Sequence, residues 1–495
     1  MMPVLLTTDI LIFLLIAVAV GFALYASRHE HLRAPWRSVG RSKVGVAALV
    51  VIAFYLVIGL LDSVHFHPPI KPTAKSAELV SDGGDSSAPS TPDARYSKEV
   101  LSLLDVWLTS LREREEKTFS APFATHLFVK EAIEQPDGRV VRDYPRLKYG
   151  GAHLDDPAQR TLDILWRGLF GLLLGMLVWT VFSAALTGIL ARRLRQSFGD
   201  TARQIIFPRM PIETPIEAPA ANRIPWRVVL ITLAVMLALS FIAAELASKY
   251  HILGTDKVGE DVFYQSLKSI RTGLVIGTLT TLVMLPAAVI LGIMAGYFRG
   301  LTDDIIQYLY TTLNSIPGVL LIAAAILMLQ VYMTNNAEQF ESLVQRADLR
   351  LLFLCIILGI TSWTGLCRLL RGEALKLRET DYVQAAIALG VRHSTIISRH
   401  ILPNVLHIVM ITVVLDFSGL VLAEAVLSYV NIGVDPTMNS WGNMINSARL
   451  ELAREPIVWW SLASAFMFMF TLVLAANLFA DTVRDAFDPR LRSAR

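Results

Sequence analysis

Two acidic residues lie within a long apolar segment near the C-terminus, where an ionisable side chain is costly in lipid and is therefore a functional candidate. Asp416 and Glu424 are eight residues apart, a spacing that places both on one face of a helix. Such a pair can line a polar path through a membrane, or it can pair with a residue of another helix, and the spacing leaves both roles open. Pro317 interrupts the backbone hydrogen bonds of another apolar segment, so we expect it to line the same path or to form a hinge.

Histidines are the other residues whose spacing could support chemistry. His65 and His67 supply two of the ligands that a zinc ion needs, but no carboxylate or cysteine follows nearby, so an ordinary turn at the membrane surface is favoured. His251 and Asp256 could bind a metal in the same way. Three more histidines are seven residues apart, and protonation could tune them, although solvated or interfacial positions are favoured: His393, His400 and His407. We predict no metal site.

Missing motifs exclude several kinds of chemistry. The sequence has no G-x-x-x-x-G-K-[ST] loop, so this chain cannot bind ATP phosphates by that route, and it has no H-E-x-x-H zinc-protease motif. A net charge of +3, without basic residues alternating with aromatics, argues against nucleic-acid binding. Cys355 and Cys367 would lie about 18 Å apart on one helix and cannot form a disulfide. We therefore predict a chain without enzymatic activity or cofactor, whose energy comes from a partner.

The elements that position these residues are predicted to be membrane-spanning helices. Hydrophobic residues make up 54% of the chain and charged residues only 18%, and the mean hydropathy is +0.51, which exceeds the values of soluble proteins. Nine apolar segments are long enough to cross a bilayer. They are 10–26, 44–61, 164–190, 228–247, 272–296, a segment that contains 316–318, 351–370, 405–430 and a segment that follows residue 456.

The distribution of basic residues predicts the orientation. They follow the first span instead of preceding it, which is the reverse of a cleavable signal peptide, so the N-terminus is predicted to lie outside. Arginines are dense again after the third span, and nine crossings place the C-terminus in the cytosol. Glu245 and Arg271 lie near span ends, and we expect their side chains to extend to the membrane surface.

Residues 62–163 have the composition of an external soluble insert. Its first part is rich in Pro, Ser, Gly and Asp and is predicted to be a flexible linker. Apolar residues from Val100 to Leu111 then recur at helical spacing, and residues 126–144 are typical of a β-hairpin that turns at 136–138. One helix and one hairpin bury little apolar surface, so we expect the insert to pack against the membrane domain or a partner.

A polar and basic helical hairpin, residues 380–403, lies between two apolar spans. Thr380 or Asp381 can cap its first helix, and Gly390 stands where a helix needs a left-handed C-terminal residue. A second helix is predicted to start near Ser394 and to end by Pro403. Because lipid or protein covers its apolar sides, the polar edge of this hairpin is free to dock on a cytosolic partner.

The hairpin resembles the EAA loop of bacterial ABC-importer permeases, the coupling helix that sits in a cleft on the ATPase. The resemblance rests on Gln384-Ala385-Ala386, Gly390 and Leu402-Pro403. The surrounding strings, DYVQAAIALG and RHILPN, are similar to the C-type permease subunit of the dipeptide and oligopeptide branch. The chain departs from the pattern at Gln384, where Glu is usual, and at His400, where many members have Ile.

Other segments extend this resemblance over residues 228–490. The segment 251–263 is similar to the one that follows the first core span in peptide permeases, with Glu260 in place of Arg, and the match makes His251 and Asp256 part of an interfacial segment. GYFRGLTDD after the fifth span, Ser440-Trp441-Gly442, and the C-terminal segment 477–490 also match the family. The first 227 residues match no family that the sequence identifies.

The resemblance implies an all-α polytopic membrane protein of the bacterial inner membrane. Its architecture would be a type I permease core, 228–495, two extra N-terminal helices in 1–61, the small α+β insert 62–163, and a third extra helix with a cytosolic linker in 164–227. The implied function is a permease subunit that imports peptides by alternating access. The implied partners are a second homologous permease, two cytosolic ATPases that bind ATP, an extracytoplasmic substrate-binding protein and membrane lipid.

The residues that the resemblance assigns to ATPase coupling are Asp381, Tyr382, Gln384, Ala385, Ala386, Leu389, Gly390, His400, Leu402 and Pro403. The alternative is an ion-coupled secondary transporter that works alone through Asp416 and Glu424. A membrane sensor or assembly factor built on a permease-like core is a third possibility, but no kinase, DNA-binding or nucleotide motif supports it. The sequence does not identify the cargo, because dipeptides, longer peptides, peptide antibiotics and metal chelates share this scaffold.

Overall fold

The computed structural model of the chain describes residues 2–28, 30–69, 97, 99–134, 140–206, 224–336 and 342–487. These residues form a helical membrane protein with two small sheets at one end, which confirms the predicted fold class. Most of the predicted linker, the hairpin turn at 136–138 and the C-terminal residues 488–495 lie outside the described residues.

The helices, in chain order, are α1 (Thr7–Arg28), α2 (Glu30–Val39), α3 (Lys43–Asp62), α4 (Leu103–Trp107), α5 (Thr109–Arg112), α6 (Arg160–Leu194), α7 (Phe198–Ile206), α8 (Trp226–Ala247), α9 (Val262–Phe298), α10 (Leu301–Ser315), α11 (Gly318–Asn335), α12 (Leu343–Ser362), α13 (Thr364–Arg378), α14 (Asp381–Ala388), α15 (His393–Ile396), α16 (Leu402–Tyr429), α17 (Trp441–Glu451) and α18 (Trp460–Phe487). The strands are β1 (Met2–Val4), β2 (His65–His67), β3 (Leu101–Ser102), β4 (Glu131–Glu134) and β5 (Val140–Asp143).

Within the described residues, eight helical segments are long and apolar enough to cross a membrane, and they correspond to the second to ninth predicted spans. They are Lys43–Asp62, Pro157–Arg193, Trp226–Ala247, Val262–Phe298, Gly318–Asn335, Leu343–Arg378, His393–Tyr429 and Trp460–Phe487. The first predicted span, 10–26, lies within the continuous helix α1, Thr7–Arg28, which is not one of these eight segments. The ninth crossing therefore stays a prediction.

The long helix α9 is the centre of the bundle, because α3, α12, α13, α16 and α18 all pack against it. Its glycines form two pairs at four-residue spacing, Gly273 with Gly277 and Gly292 with Gly296, and such pairs let helices approach closely in lipid. A Cβ atom added at Gly296 would lie 2.5 Å from the Arg371 carbonyl oxygen and 2.6 Å from the Ala374 Cβ. Only a residue without a side chain lets α9 and α13 approach this closely.

The sixth predicted span is interrupted at its proline, but not inside a helix as the sequence suggested. Pro317 caps the N-terminus of α11, and Ile316 ends α10 in an extended conformation. A proline at a helix start gives up an N–H that has no helical partner there, so the break costs little hydrogen bonding.

The insert packs against the end of the bundle where α9 and α18 begin. β1, β2 and β3 form an antiparallel sheet, and β4 and β5 form the predicted hairpin. The Ser120 amide donates to Thr255 Oγ1 at 2.7 Å, and the Phe128 and Trp460 rings meet edge to face at 4.9 Å. The expectation that the insert packs against the membrane domain is confirmed. The predicted helix of the insert is two short helices, α4 and α5, because Leu108 leaves helical geometry between them.

The helices that precede α9 also pack against the bundle. α3 lies between α9 and α18, and α8 contacts α3 on the outside of the bundle and pairs with α6. The short amphipathic helix α2, which the sequence analysis did not predict, crosses the end of α18. Trp36 of α2 meets Phe487 edge to face at 5.8 Å.

Candidate functional site

The first helix of the predicted hairpin is α14, and it forms where the sequence places it. Thr380 occupies the N-cap position with extended backbone angles, as predicted. Its hydroxyl, however, donates to the Leu377 carbonyl and makes no capping bond to α14. Asp381 lies in the first helical turn, where its charge is favourable beside the positive end of the helix.

The turn at Gly390 confirms the predicted left-handed residue. Gly390 has φ +72°, and its amide donates to the Ile387 carbonyl at 3.0 Å. The Val391 amide donates to the Ala386 carbonyl at 3.1 Å. These two bonds are the Schellman arrangement that satisfies the last carbonyls of a helix, and it requires a left-handed residue at the position of Gly390.

The second half of the hairpin does not end at Pro403, so that boundary prediction is wrong. α15 passes into a π-helical segment, Ile397–Ile401, which continues directly into the long helix α16. The wide π turn lies immediately before Pro403, where the missing N–H and the ring would otherwise disturb the α-helical ladder. The hairpin is therefore continuous with a membrane span.

One face of α14 is buried and the other is open. Val383 and Ala386 belong to the apolar core that also contains Ile396 and Ile401. Among the residues assigned to coupling, Ala386 therefore faces the bundle and positions the helix. On the open face, Leu389 is 82% exposed and Tyr382 is 45% exposed. The remaining exposed coupling residues are Asp381, Gln384, Ala385, Gly390 and Pro403, and His400 and Leu402 are half-buried.

Polar contacts fix the hairpin to the ends of α9 and α13. The Tyr297 hydroxyl and His393 Nδ1 are 2.7 Å apart, and Arg299 forms an ion pair with Glu379 just before the hairpin. Within the hairpin, the Gln384 side-chain amide donates to the Arg378 carbonyl at 2.9 Å. Gln384 thus forms a hydrogen bond within this chain, at a position where the family pattern usually has Glu.

The two carboxylates of α16 differ in their surroundings. Glu424 is buried, and its Oε1 accepts from the Ser428 hydroxyl at 2.6 Å beside the start of α17. Asp416 is half-buried, and it has no hydrogen bond or ion pair to any residue that the structure describes. The predicted shared face therefore carries one carboxylate enclosed within this chain and one that is partly open.

A buried ionic cluster surrounds Arg271, so the prediction that this side chain extends to the membrane surface is wrong. Arg271 is 6% exposed, and its Nη2 lies 2.6 Å from Asp9 Oδ1 and 3.6 Å from Asp348 Oδ1. Asp9 is in turn 2.8 Å from His65 Nδ1. The pairing joins α1, α9 and α12. In the sequence, the acidic Asp9 next to an apolar run is the feature that points to a buried ion pair.

A second cation, the half-buried Lys268, lies one turn before Arg271 on α9. Its Nζ is 2.6 Å from Asp62 Oδ1 and 2.9 Å from Asp105 Oδ1, so it joins α3 and the insert to the core. Burial raises the pKa of the Asp105 carboxyl, but the Lys268 ammonium and the Ser102 amide hold it below its usual value. Glu245 also pairs internally, with Arg167 at 3.2 Å.

A third cluster joins the insert to the segment before α9. His251 Nδ1 is 2.7 Å from Asp261 Oδ2, and its Nε2 is 3.4 Å from Glu116 Oε1. Burial lowers the pKa of His251, but the two carboxylates outweigh it and raise the pKa to about 9. Burial raises the pKa of Glu116, whereas the imidazolium and the amides of residues 148–150 lower it to about 2.

The residues considered as metal ligands contact other protein groups instead. Within the described residues, no group of three or more His, Cys, Asp or Glu side chains could hold a metal ion. His251 contacts Asp261 and Glu116 and not Asp256, whose carboxylate accepts from the Val258 and Glu260 amides. Cys355 and Cys367 are both free and buried.

The sequence is similar to those of known membrane transport proteins. A model described as binding-protein-dependent transport system inner membrane component matches residues 288–493, which contain the hairpin. A glutathione transport system permease protein of Pectobacterium atrosepticum is 32% identical over 248 residues, which cover 50% of this chain and 75% of that protein. An oligopeptide transport system permease protein of Haemophilus influenzae is 30% identical over 250 residues, or 50% and 74% of the two chains. A dipeptide transport system permease protein of Lactococcus lactis subsp. cremoris is 29% identical over 240 residues, or 48% and 64%.

Proposed function

This chain belongs to the family of binding-protein-dependent transport system inner membrane components, and we propose that it is a permease subunit of an ATP-driven importer of peptides. The observation that carries the proposal is the exposed hairpin 380–403, which lies within the matched residues and continues into a membrane span. The cargo class is taken from the relatives, whose names specify glutathione, oligopeptide and dipeptide transport.

The hairpin is the element through which an ATPase would act. Leu389 and Tyr382 offer apolar surface for a cleft, with Asp381, Gln384 and Ala385 beside them. Gly390 shapes the turn, and His400, Leu402 and Pro403 lie where the π segment meets α16. ATP-driven closure of the ATPase dimer would pull on α14, and the displacement would pass through Ala386 into the core and through the π segment into α16. Because packed bundles have discrete arrangements, a small pull tips the helices from inward-open to outward-open.

Membership in this family implies ATPase and substrate-binding-protein partners. Our finer proposal is a complex of this chain, a second homologous permease, two cytosolic ATPases and one extracytoplasmic binding protein. ATP would be bound by the ATPases, and this chain would carry no cofactor. The N-terminus and the insert would lie outside, and the hairpin and the C-terminus would lie in the cytosol.

The path for the cargo is proposed to involve Asp416, Glu424 and Pro317. Asp416 is half-buried without a partner among the described residues, so its carboxylate is available to a hydrated cargo or to the second permease. Glu424 would act from beneath the start of α17, and Pro317 at the break between α10 and α11. The ion-coupled alternative is not favoured, because the family match supports an ATP-driven subunit.

The experiment that tests the proposal is purification of the tagged chain from native membranes in mild detergent, followed by identification and quantification of the proteins that accompany it. Two ATPases and a second permease in stoichiometric amounts are expected, and peptide uptake by the reconstituted complex should require ATP. A chain that purifies alone at normal yield and transports without ATP would overturn the proposal. Neutralising Asp416 and Glu424 would then test the ion-coupled mechanism.

A further inference from the structure

Three arginines surround a small cavity at the end of the bundle opposite the insert. Arg33, Arg37 and Arg41 are spaced four residues apart, which places them on one side of α2 and the turn that follows it. With Trp36, Gly40 and Ile224 they line a cavity of about 210 Å³. No carboxylate is among these lining residues, within the part of the chain that the structure describes.

The cavity lies beside the linked ends of the apolar helices α1 and α3, where we expect the headgroups of the surrounding lipid. α2 connects the apolar helices α1 and α3, whose other ends lead to the paired strands β1 and β2 beneath the insert. The opposite face of α2 is anchored, because Val39 is buried with Val483 and Phe487 at the end of α18. α2 therefore lies across the end of α18, and its basic side faces away from that contact.

Arg37 is the most enclosed of the three arginines that line the cavity. Arg37 is half-buried, and its Nε is shielded from solvent without a hydrogen-bond partner in the described structure. A buried guanidinium nitrogen without a partner is costly, so the protein alone leaves the hydrogen-bonding capacity of Arg37 incompletely used. A planar guanidinium matches the geometry of a phosphate oxygen pair, and Trp36 supplies the amphipathic ring that is typical of the headgroup region.

We propose that this cavity binds the phosphate group of an anionic phospholipid, with Arg33 and Arg37 as its main ligands and Trp36 against its glycerol. The phospholipid would tie α2 to the end of α18 and to the residues that enter α8. Basic pockets beside membrane helices hold anionic headgroups by this chemistry. The inference rests on the membrane location and not on the cargo or the ATPases, so it stands or falls separately from the proposed function.

The test is a titration of the purified full chain, with any subunits that accompany it, in mild detergent and monitored by native mass spectrometry. The probes are phosphatidylglycerol, phosphatidylcholine and inorganic phosphate. One phosphatidylglycerol should bind saturably, phosphatidylcholine should not, and inorganic phosphate at equal concentration should not displace the lipid. Arg33→Gln with Arg37→Gln should weaken phosphatidylglycerol binding about thirtyfold.

The matched control is Arg192→Gln with Arg193→Gln, which removes the same charge from exposed positions at the end of α6. This control should bind phosphatidylglycerol as the parent does. If the glutamine pair at 33 and 37 is not produced, Arg33→Lys with Arg37→Lys keeps the charge and should still weaken binding, because the guanidinium fork is lost. Equal lipid binding in parent and pocket variants would overturn the proposal, and displacement by inorganic phosphate would overturn its lipid assignment.

Discussion

Replacement of Gly390 tests whether the backbone shape of the hairpin is needed to couple ATP hydrolysis to peptide uptake. Its φ of +72° lies in the left-handed region, and an added Cβ would find no atom within 4 Å. The penalty that we expect for Gly390→Val is therefore mainly conformational, because the Cβ atom itself meets no neighbour. A side chain in this region costs about 1–2 kcal/mol, which corresponds to a roughly 5- to 30-fold loss of the native turn.

The consequence follows from the two hydrogen bonds that the turn makes. If residue 390 leaves the left-handed region, the bonds of its own amide and of the Val391 amide to the end of α14 are lost. α14 then ends differently and presents Leu389 at another angle, while the core that holds Val383 stays intact. We expect normal abundance, a reduced peptide uptake by about the same factor, and ATP hydrolysis that no longer depends on cargo.

The assay compares uptake with ATP hydrolysis in proteoliposomes at equal amounts of complex. Gly390→Asn is the matched control, because asparagine adopts left-handed angles readily and should retain most of the coupling. Normal transport by the valine variant at parental abundance would refute the reasoning. Equal loss in the asparagine variant would show that side-chain bulk at the partner, and not backbone geometry, is what matters.

The other predictions concern stability and are measured by thermal unfolding in mild detergent or by proteolysis. Lys268→Met leaves two buried carboxylates unneutralised and should cost about 3–5 kcal/mol, whereas Lys376→Met at an exposed pair should cost less than about 1 kcal/mol. Unchanged melting of the first variant would contradict the cluster. Gly296→Ala should cost about 1–3 kcal/mol by separating α9 from α13, and Gly372→Ala, at an open position of α13, should not destabilise. His251 has a pKa of about 9, above its unfolded value, so its stabilisation of the insert is complete below about pH 6.5 and is lost as the pH rises through 9. Proteolysis of the insert should accelerate over that window in the parent, and a His251→Asn variant should lack the acceleration.

Local sequence predicts some features of the insert, but not how it attaches to the helices. Its hairpin and its need for an external support follow from local signals, namely alternating apolar residues and a small apolar surface. Its actual attachment uses Glu116 and Asp105, whose partners lie on segments more than a hundred residues away. Nothing in the local sequence of the insert points to those partners.

The sequence by itself determined the features that depend on short stretches of chain. Apolar length determines the membrane spans, and the turn at Gly390 follows from the need of a helix end for a left-handed residue. Tertiary structure alone decided which charges are buried together, because Asp9 and Arg271 meet only after α1 has packed against α9. It also decided that the hairpin continues into α16 through a π segment, since local propensity places a helix stop at Pro403. Local conformation is governed by neighbouring residues, whereas the pairing of distant charges is governed by how whole helices pack.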